Sequence, residues 1–137
     1  MWKYYALLSA FFAALTAILA KVGVKGINGN VATAVRTFVV LIMAWAIVLM
    51  SGHLKEVREL SKTNLLFLCF SGLATGLSWI FYFKALETGD VSKVAPIDKL
   101  SVVFVMFLSF FFLHEAMDVK TIIGGVLITI GALILVI

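Results

Sequence analysis

An acid and a base stand side by side at Asp98 and Lys99, at the start of a long apolar stretch. From Lys99 to His114 there are only about fourteen uncharged residues, and a helix of that length covers roughly 21 Å of a hydrocarbon layer about 30 Å thick. A helix that crosses the layer must therefore start near Lys93, which places both charges inside it. Charged side chains inside a spanning helix are costly and mark functional positions. The pair is the first candidate for binding a charged solute.

Two interpretations of this pair stay open. If the helix starts late, both side chains lie at the membrane interface. If it starts near Lys93, each charge needs a partner from another helix or from a water-filled cavity, because adjacent residues on a helix point about 100° apart. We therefore expect no ion pair between Asp98 and Lys99. The available counter-charges are Arg36 for Asp98, and Glu87, Asp90 or Glu115 for Lys99.

Polar side chains follow one face of the third apolar run, at intervals of four, three and four residues. Such a face either packs against another helix, with its hydroxyls bonded to the backbone, or lines a path for a solute. The aromatic residues Trp79 and Tyr82 either form an interfacial belt near Lys84 or stack against the solute. The polar face consists of Ser71, Thr75, Ser78 and Tyr82.

Glycines recur at helical spacing in two of the apolar runs. Gly72 and Gly76 lie in the third run, and Gly124 and Gly131 lie seven residues apart in the last. Small residues at such intervals let helices approach closely in a membrane, so we expect all four to serve helix packing. In the last run, we expect the pair to hold a dimer together.

No group of side chains predicts catalysis, a metal site or a bound cofactor. The two histidines are isolated, and the single cysteine, Cys69, lies inside an apolar run. No nucleophile stands beside a base, and the glycines lie in predicted helices, not in a phosphate-binding loop. We therefore expect a protein that is not an enzyme and that uses neither a metal ion nor a cofactor.

The composition places these residues in lipid. Of the 137 residues, 64% are hydrophobic and 13% are charged, more apolar surface than a soluble domain of this size can bury. The net charge of +4 comes from basic residues scattered between apolar runs, as at membrane edges, which argues against a nucleic-acid partner. The fold class predicted is all-α, a polytopic membrane protein of one domain, residues 1–137. Its five transmembrane helices are predicted at residues 2–22, 31–50, 64–85, 92–113 and 121–137.

The connections between these helices carry signals of their own. Gly26 to Asn30 predicts a turn, because glycine and asparagine tolerate a positive φ. Residues 51–63 are polar and predict a short surface helix or loop. Thr88-Gly89-Asp90 predicts a tight turn.

The basic residues do not orient the chain in the membrane. Five spans put five basic residues on the amino-terminal side and six on the other, or five if Lys99 is counted as intramembrane. The positive-inside rule then gives no preferred orientation. One explanation is a chain that inserts both ways and pairs with its own inverted copy, which would give the inverted-repeat layout of many transporters. The alternatives are a noisy count over short loops, or a partner protein that sets the orientation.

The segment between the third and fourth predicted helices resembles the EamA family of the drug/metabolite transporter superfamily. The resemblance covers nearly the whole chain, because an EamA unit has five helices. Arg36 matches a basic position common in the second helix of that family. The matching stretches are Phe83-Lys84-Ala85-Leu86-Glu87-Thr88-Gly89-Asp90-Val91-Ser92-Lys93-Val94-Ala95-Pro96, then Leu113-His114-Glu115, and then Ile123-Gly124-Gly125 through Ile130-Gly131-Ala132.

The resemblance implies a transporter of small metabolites in a prokaryotic plasma membrane. Most family members carry two five-helix units in one chain, so a chain with one unit needs a partner, most simply a second copy of itself. The distantly related four-helix multidrug transporters use an acidic residue in their first helix. This chain has none between Lys3 and Lys21, so Asp98 would have to take over the coupling.

We therefore expect a homodimeric carrier that works by alternating access. A zwitterionic or amphiphilic metabolite would suit the charged pair, with Lys99 taking a carboxylate and Asp98 an amine or a proton. The residues expected to bind the solute are Asp98, Lys99, Arg36, Ser71, Thr75, Ser78, Trp79 and Tyr82. The alternative from another class is an accessory or scaffold subunit that transports nothing, in which the polar face of the third helix packs against a partner and encloses no water.

Overall fold

The computed structural model describes residues 1–137, and the chain is helical with no strand. Five segments are long and apolar enough to cross a membrane, which confirms the predicted all-α polytopic fold. The fourth of them is made of two consecutive helices. The helices are α1 (Trp2–Gly23), α2 (Gly29–Met50), α3 (Leu54–Arg58), α4 (Lys62–Thr88), α5 (Val91–Asp98), α6 (Ser101–Phe112) and α7 (Val119–Val136).

The helices form two compact units. The central unit is Leu19–Glu87, and the terminal unit combines Met1–Ile18 with Thr88–Ile137. In the central unit α2 and α4 run antiparallel, because Gly29 lies next to Glu87 while Arg36, further along α2, lies next to Trp79. In the terminal unit α7 packs against both α5 and α6.

Helix α2 starts at Gly29, earlier than the predicted residue 31. Gly26 makes the expected turn with a φ of +80°, but Gly29 is a buried residue of the helix and not part of the turn. The cause is Asn28, whose extended backbone and side chain form an N-cap: its Oδ1 accepts a hydrogen bond of 2.8 Å from the Asn30 amide. The helix therefore begins two residues earlier than the apolar pattern indicated.

Two other spanning helices also extend beyond their predicted ends, one of them through a similar N-cap. Asp118 caps α7, which begins at Val119 and not at Thr121. The third span, Lys62–Thr88, is longer at both ends than predicted. The polar connection after α2 contains the one-turn helix α3, one of the two forms expected for it.

The fourth span is not the continuous helix that the sequence predicted. After α5 the chain makes a tight turn at Lys99 and Leu100 before α6 begins. The amides of Leu100, Val102 and Val103 each donate to the third carbonyl back instead of the fourth. Because the apolar pattern runs on without a break, hydropathy alone could not show this interruption.

Little of the apolar surface is covered within a single chain. Large apolar side chains are exposed along every spanning helix, and the buried positions of the central unit gather where α1 ends and α2 begins. Lipid or another protein must cover the exposed apolar side chains, since exposing so large an apolar surface to water is unfavourable. The buried residues there are Ala20, Val24, Gly29, Ala32, Thr33, Phe83 and Leu86.

Candidate functional site

The most distinctive polar contact of the central unit is a cation resting on aromatic rings. Arg36 lies seven residues, about 10 Å, beyond the first residue of α2. Its guanidinium carbon lies 4.3 Å from the ring centroid of Trp79 and 5.6 Å from that of Phe83. Phe83 is 3% exposed and anchors the contact, while Arg36 and Trp79 are half-buried. Cation–π attraction therefore joins α2 to α4 at this level.

The predicted polar face of the third span lies on α4, beside this contact. The Thr75 hydroxyl donates to the Ser71 carbonyl over 2.9 Å, so the backbone of its own helix satisfies it. The hydroxyls of Ser71 and Ser78 are exposed and make no hydrogen bond within the chain. Tyr82 is half-buried, and its ring meets Phe83 edge-on with the centroids 6.4 Å apart. Two hydroxyls of the face are thus available to water or a solute.

Charged side chains join the ends of α1, α2 and α4, an arrangement that the sequence analysis missed. Lys21 Nζ donates to the Leu86 carbonyl over 2.6 Å, and the Glu87 carboxylate accepts a short hydrogen bond from the Gly29 amide. From the sequence, Lys21 was expected to be a membrane-edge charge and Glu87 a possible partner of Lys99. Instead, both side chains bind backbone groups that helix ends leave unpaired.

A cleft of about 670 Å³ lies beside these contacts in the central unit. Its walls carry two lysines and one carboxylate among apolar and backbone groups. They are formed by Lys21, Val22, Val24, Lys25, Gly26, Ile27, Leu86 and Glu87.

In the terminal unit, the turn between α5 and α6 carries the charged pair. Because α5 starts at Val91, both Asp98 and Lys99 lie inside the span Val91–Phe112, about a third of the way along it. The late start that would have made them interfacial does not occur. By chain position, both charges therefore lie within the fourth apolar segment.

The expectation that Asp98 and Lys99 would not pair is wrong. Lys99 Nζ lies 3.4 Å from Asp98 Oδ2, and the two side chains are 58% and 37% exposed. The expectation considered only the directions in which adjacent Cβ atoms point. The four methylene groups of lysine let the ammonium swing back over the preceding residue. At 3.4 Å the contact is longer than a strong charge-assisted hydrogen bond, so the pair is a loose one.

The same turn leaves backbone groups unpaired. The Asp98 carbonyl accepts no backbone hydrogen bond and the Ser101 amide donates none, because the neighbouring amides reach carbonyls only three residues back. Pro96, earlier in the same span, removes a further donor. Hydrocarbon cannot satisfy such groups, so unwound backbone at membrane depth is found where it is buried in protein or lines water. A charged pair and unpaired backbone groups therefore coincide at one turn.

The comparison with known proteins decides the family. The sequence model of the EamA-like transporter family matches residues 1–137. The chain belongs to the EamA-like transporter family. A relative from Sinorhizobium sp., described as an uncharacterized transporter in the cobO 3' region, is 48% identical over 134 residues, which is 98% of this chain and 95% of the relative. No solved structure matches the chain.

Family membership confirms the resemblance read from the sequence and supports an integral membrane transporter. The residues expected to bind its solute fall in both units. Arg36, Trp79 and the hydroxyl face of α4 belong to the central unit, and Asp98 and Lys99 belong to the terminal unit.

The glycines of this EamA-like transporter divide into two groups. A Cβ added at Gly72, Gly76, Gly124 or Gly131 would meet no atom within 4 Å, so none of these four packs against another helix of the same chain. Their part in a dimer stays a prediction. The glycines that do make close contacts are Gly29, against Glu87 and Phe83, and Gly125, against Met106.

An apolar groove of about 290 Å³ lies in the terminal unit beside Gly125. Its walls are almost wholly apolar, and Thr129, which lines it, donates its hydroxyl to the Gly125 carbonyl. The groove therefore offers no free polar group to a solute. It is lined by Val103, Met106, Phe107, Met117, Ile122, Gly125, Val126, Thr129 and Ile130.

Proposed function

We propose that this EamA-like transporter moves small polar metabolites across a prokaryotic plasma membrane by alternating access, as a homodimer of five-helix chains. The observation that carries the proposal is the turn at Asp98–Ser101. It brings an acid, a base, a free carbonyl and a free amide into a span whose residues are mostly apolar. In hydrocarbon each unpaired backbone group is costly. Water or a solute in a transport path beside the turn would satisfy the carbonyl, the amide and both charged side chains.

A broken helix at membrane depth is typical of solute sites in secondary transporters. There the ends of the two half-helices, together with unwound backbone, bind solute or coupling ion. In this chain the turn presents one acidic and one basic side chain, which suits a zwitterionic metabolite. A second part of the solute path is proposed separately on α4, because two of its hydroxyls are exposed and make no hydrogen bond within the chain. Its wall would consist of Ser71, Thr75, Ser78, Trp79 and Tyr82.

The homodimer is proposed because a single chain leaves most of its apolar surface uncovered. Small residues at Gly124 and Gly131 on α7 have open space above them, so a helix of a second copy can approach the backbone there. Gly72 and Gly76 on α4 offer a second surface of the same kind. An antiparallel pairing would suit the nearly even distribution of basic residues between the two sides.

Transport by purified protein in liposomes tests the proposal. Uptake of a panel of radiolabelled amino acids would be compared for the wild type, Asp98→Asn and Lys99→Gln, with insertion checked by sedimentation with the lipid. We expect each variant to lose most of its transport. The matched controls are Asp118→Asn and Lys120→Gln, which remove the same charges outside the spans or at their edge and should transport normally. Full activity of inserted Asp98→Asn and Lys99→Gln would contradict a role for the turn.

The scaffold alternative makes a different prediction for the hydroxyl face. Single cysteines at Thr75 and Ser78 would be treated with a membrane-impermeant thiol reagent in a variant whose native cysteine is replaced. A water-filled path predicts labelling at both positions but not at Leu73, an exposed apolar residue of the same helix. Equal absence of labelling at all three positions would favour the scaffold.

A further inference from the structure

Arg36 is a basic side chain inside the second span, and no acidic side chain pairs with it. It makes no hydrogen bond and no ion pair within the chain. Its contacts are with the faces of Trp79 and Phe83, at 4.3 Å and 5.6 Å. A charged group at this depth is costly unless an anion or water satisfies it.

The hydrogen-bonding capacity of Arg36 is unused within the chain. Its guanidinium carries five N–H donors, and none of the five is donated to an acceptor of the protein. A guanidinium with free donors can bind a carboxylate through two parallel hydrogen bonds.

Snorkelling toward the interface does not explain this position. Gly29 pairs with Glu87, so the antiparallel register places Arg36 level with Trp79, while Phe83 lies one turn nearer the interface. A snorkelling side chain would bring its guanidinium closer to Phe83. The observed distances are the reverse, with Trp79 the nearer ring.

Lys99, the residue first expected to bind a carboxylate, differs from Arg36 because it has a counter-charge. Its ammonium lies 3.4 Å from Asp98, so a negative charge already accompanies it. Arg36 has no such neighbour. Of the two cations, only Arg36 carries an unbalanced charge.

We propose that Arg36 is the receptor for the carboxylate of the transported solute, binding it through two N–H donors while its guanidinium lies over the rings of Trp79 and Phe83. This inference rests on the proposed transport function. It assigns to Arg36 the task that the sequence analysis gave to Lys99, and it identifies the solute class as small carboxylates. Trp79, directly beneath the guanidinium, positions it for the incoming anion.

Fluorescence gives a test that does not require transport. In Trp2→Phe/Trp45→Phe protein, Trp79 is the remaining tryptophan. Each member of the amino-acid panel would be titrated against this protein, beside its carboxamide and sodium chloride at equal ionic strength. We expect the emission to change with the carboxylate and not with the other two. In the Arg36→Gln variant of this protein the apparent affinity should fall about 10- to 100-fold. An equal response to sodium chloride, or an unchanged affinity in Arg36→Gln, would overturn the assignment.

Transport in liposomes separates failure of this inference from failure of the proposed function. If the wild type carries no member of the amino-acid panel, the proposed function fails. If the wild type does carry one of them, each amino acid and its carboxamide are compared as competitors of the transported amino acid. The comparison is made in the wild type, Arg36→Gln and Arg36→Lys. We expect the preference for the carboxylate to vanish in Arg36→Gln and to persist in weaker form in Arg36→Lys, which keeps the charge but not the paired donors.

Arg58→Gln is the matched control, since it removes the other arginine, which lies in the surface helix α3. It should leave the preference intact. Retention of the full preference by well-inserted Arg36→Gln would refute the inference while leaving the transport function standing.

Discussion

Replacing Gly29 with alanine tests whether the contact between α2 and α4 stabilises the central unit. The added Cβ would lie 2.9 Å from Oε1 of Glu87 and 3.2 Å from the backbone carbonyl carbon of Phe83. The carboxylate can move aside, but the Phe83 backbone belongs to α4 and moves only with that helix. The substitution therefore forces a shift at the point where the Gly29 amide donates to Glu87.

The expected loss of stability follows from three contributions. Overpacking of this kind costs about 1–3 kcal/mol. A hydrogen bond to a charged acceptor contributes about 1.5–3 kcal/mol, and the exposure of Glu87 places this one at the low end. The helix preference of alanine over glycine offsets up to about 1 kcal/mol. We expect the free energy of unfolding to fall by roughly 1.5–4.5 kcal/mol in total, the sum of the first two contributions less the third.

Reversible unfolding in mixed micelles of increasing sodium dodecyl sulfate content, followed by circular dichroism, measures this change. Gly23→Ala is the matched control, because Gly23 lies in α1 and a Cβ there meets nothing within 4 Å. It should be neutral, or stabilise by up to about 1 kcal/mol. Equal stabilities of Gly29→Ala and Gly23→Ala would refute the reasoning.

A double-mutant cycle sharpens the same prediction. Glu87→Ala removes the acceptor of the Gly29 amide, so it should destabilise the wild type. In the Gly29→Ala background its effect should be smaller, because the hydrogen bond is already displaced and the shorter side chain relieves part of the clash. Strictly additive effects would show that the two residues do not interact.

Three further predictions concern other parts of the chain. Gly125→Ala should change the free energy of unfolding by less than about 1 kcal/mol in the same micelles, because its Cβ meets only the flexible end of Met106; a larger loss would mean that the groove is rigid. Hydrogen bonds from the hydroxyl and then the amide of Thr121, at 2.6 Å and 2.8 Å, hold the pKa of Asp118 below its ordinary value of 3.8. Its contribution to stability is therefore complete above that value and is lost as the pH falls through the lower folded pKa, and Asp118→Asn should remove this acid dependence from a pH series of unfolding curves. A cysteine replacing Lys55 in α3, with the native cysteine removed, should react with impermeant reagents from both faces of sealed cells if the chain inserts in two orientations, whereas strictly one-sided labelling would exclude the antiparallel dimer.

Several features of the candidate site followed from sequence alone. A position of Asp98 and Lys99 inside the fourth span could be named as one of two alternatives, because the apolar run after them is too short to cross the membrane. The hydroxyls from Ser71 to Ser78 could be placed on one helical face by their spacing. Arg36 could be identified as a charge inside the second span. Each of these inferences needs only the rise and period of a helix and the thickness of the hydrocarbon layer.

Other features could not be predicted, because they depend on which helix lies beside which. The Gly29 amide finds the Glu87 carboxylate across a separation of 58 residues, and no periodicity relates the two. The ion pair at Asp98 and Lys99 depends on a side-chain rotation, and the turn beneath it depends on hydrogen bonds that hydropathy does not report. The open space above Gly124 and the close contact at Gly125 distinguish two adjacent glycines that look alike in the sequence.

By itself the sequence determined that this is an all-helical membrane protein of the EamA type, where its spans lie, and which charges lie within them. The free energy of placing apolar and charged groups in lipid fixes those features residue by residue, without reference to neighbours. Tertiary structure decided which of the charges has a partner. Lys99 has Asp98 beside it, while the guanidinium of Arg36 lies over the rings of Trp79 and Phe83 and has no acidic partner. That difference arises because pairing depends on the distance between groups on different turns and different helices, and only the folded chain sets those distances.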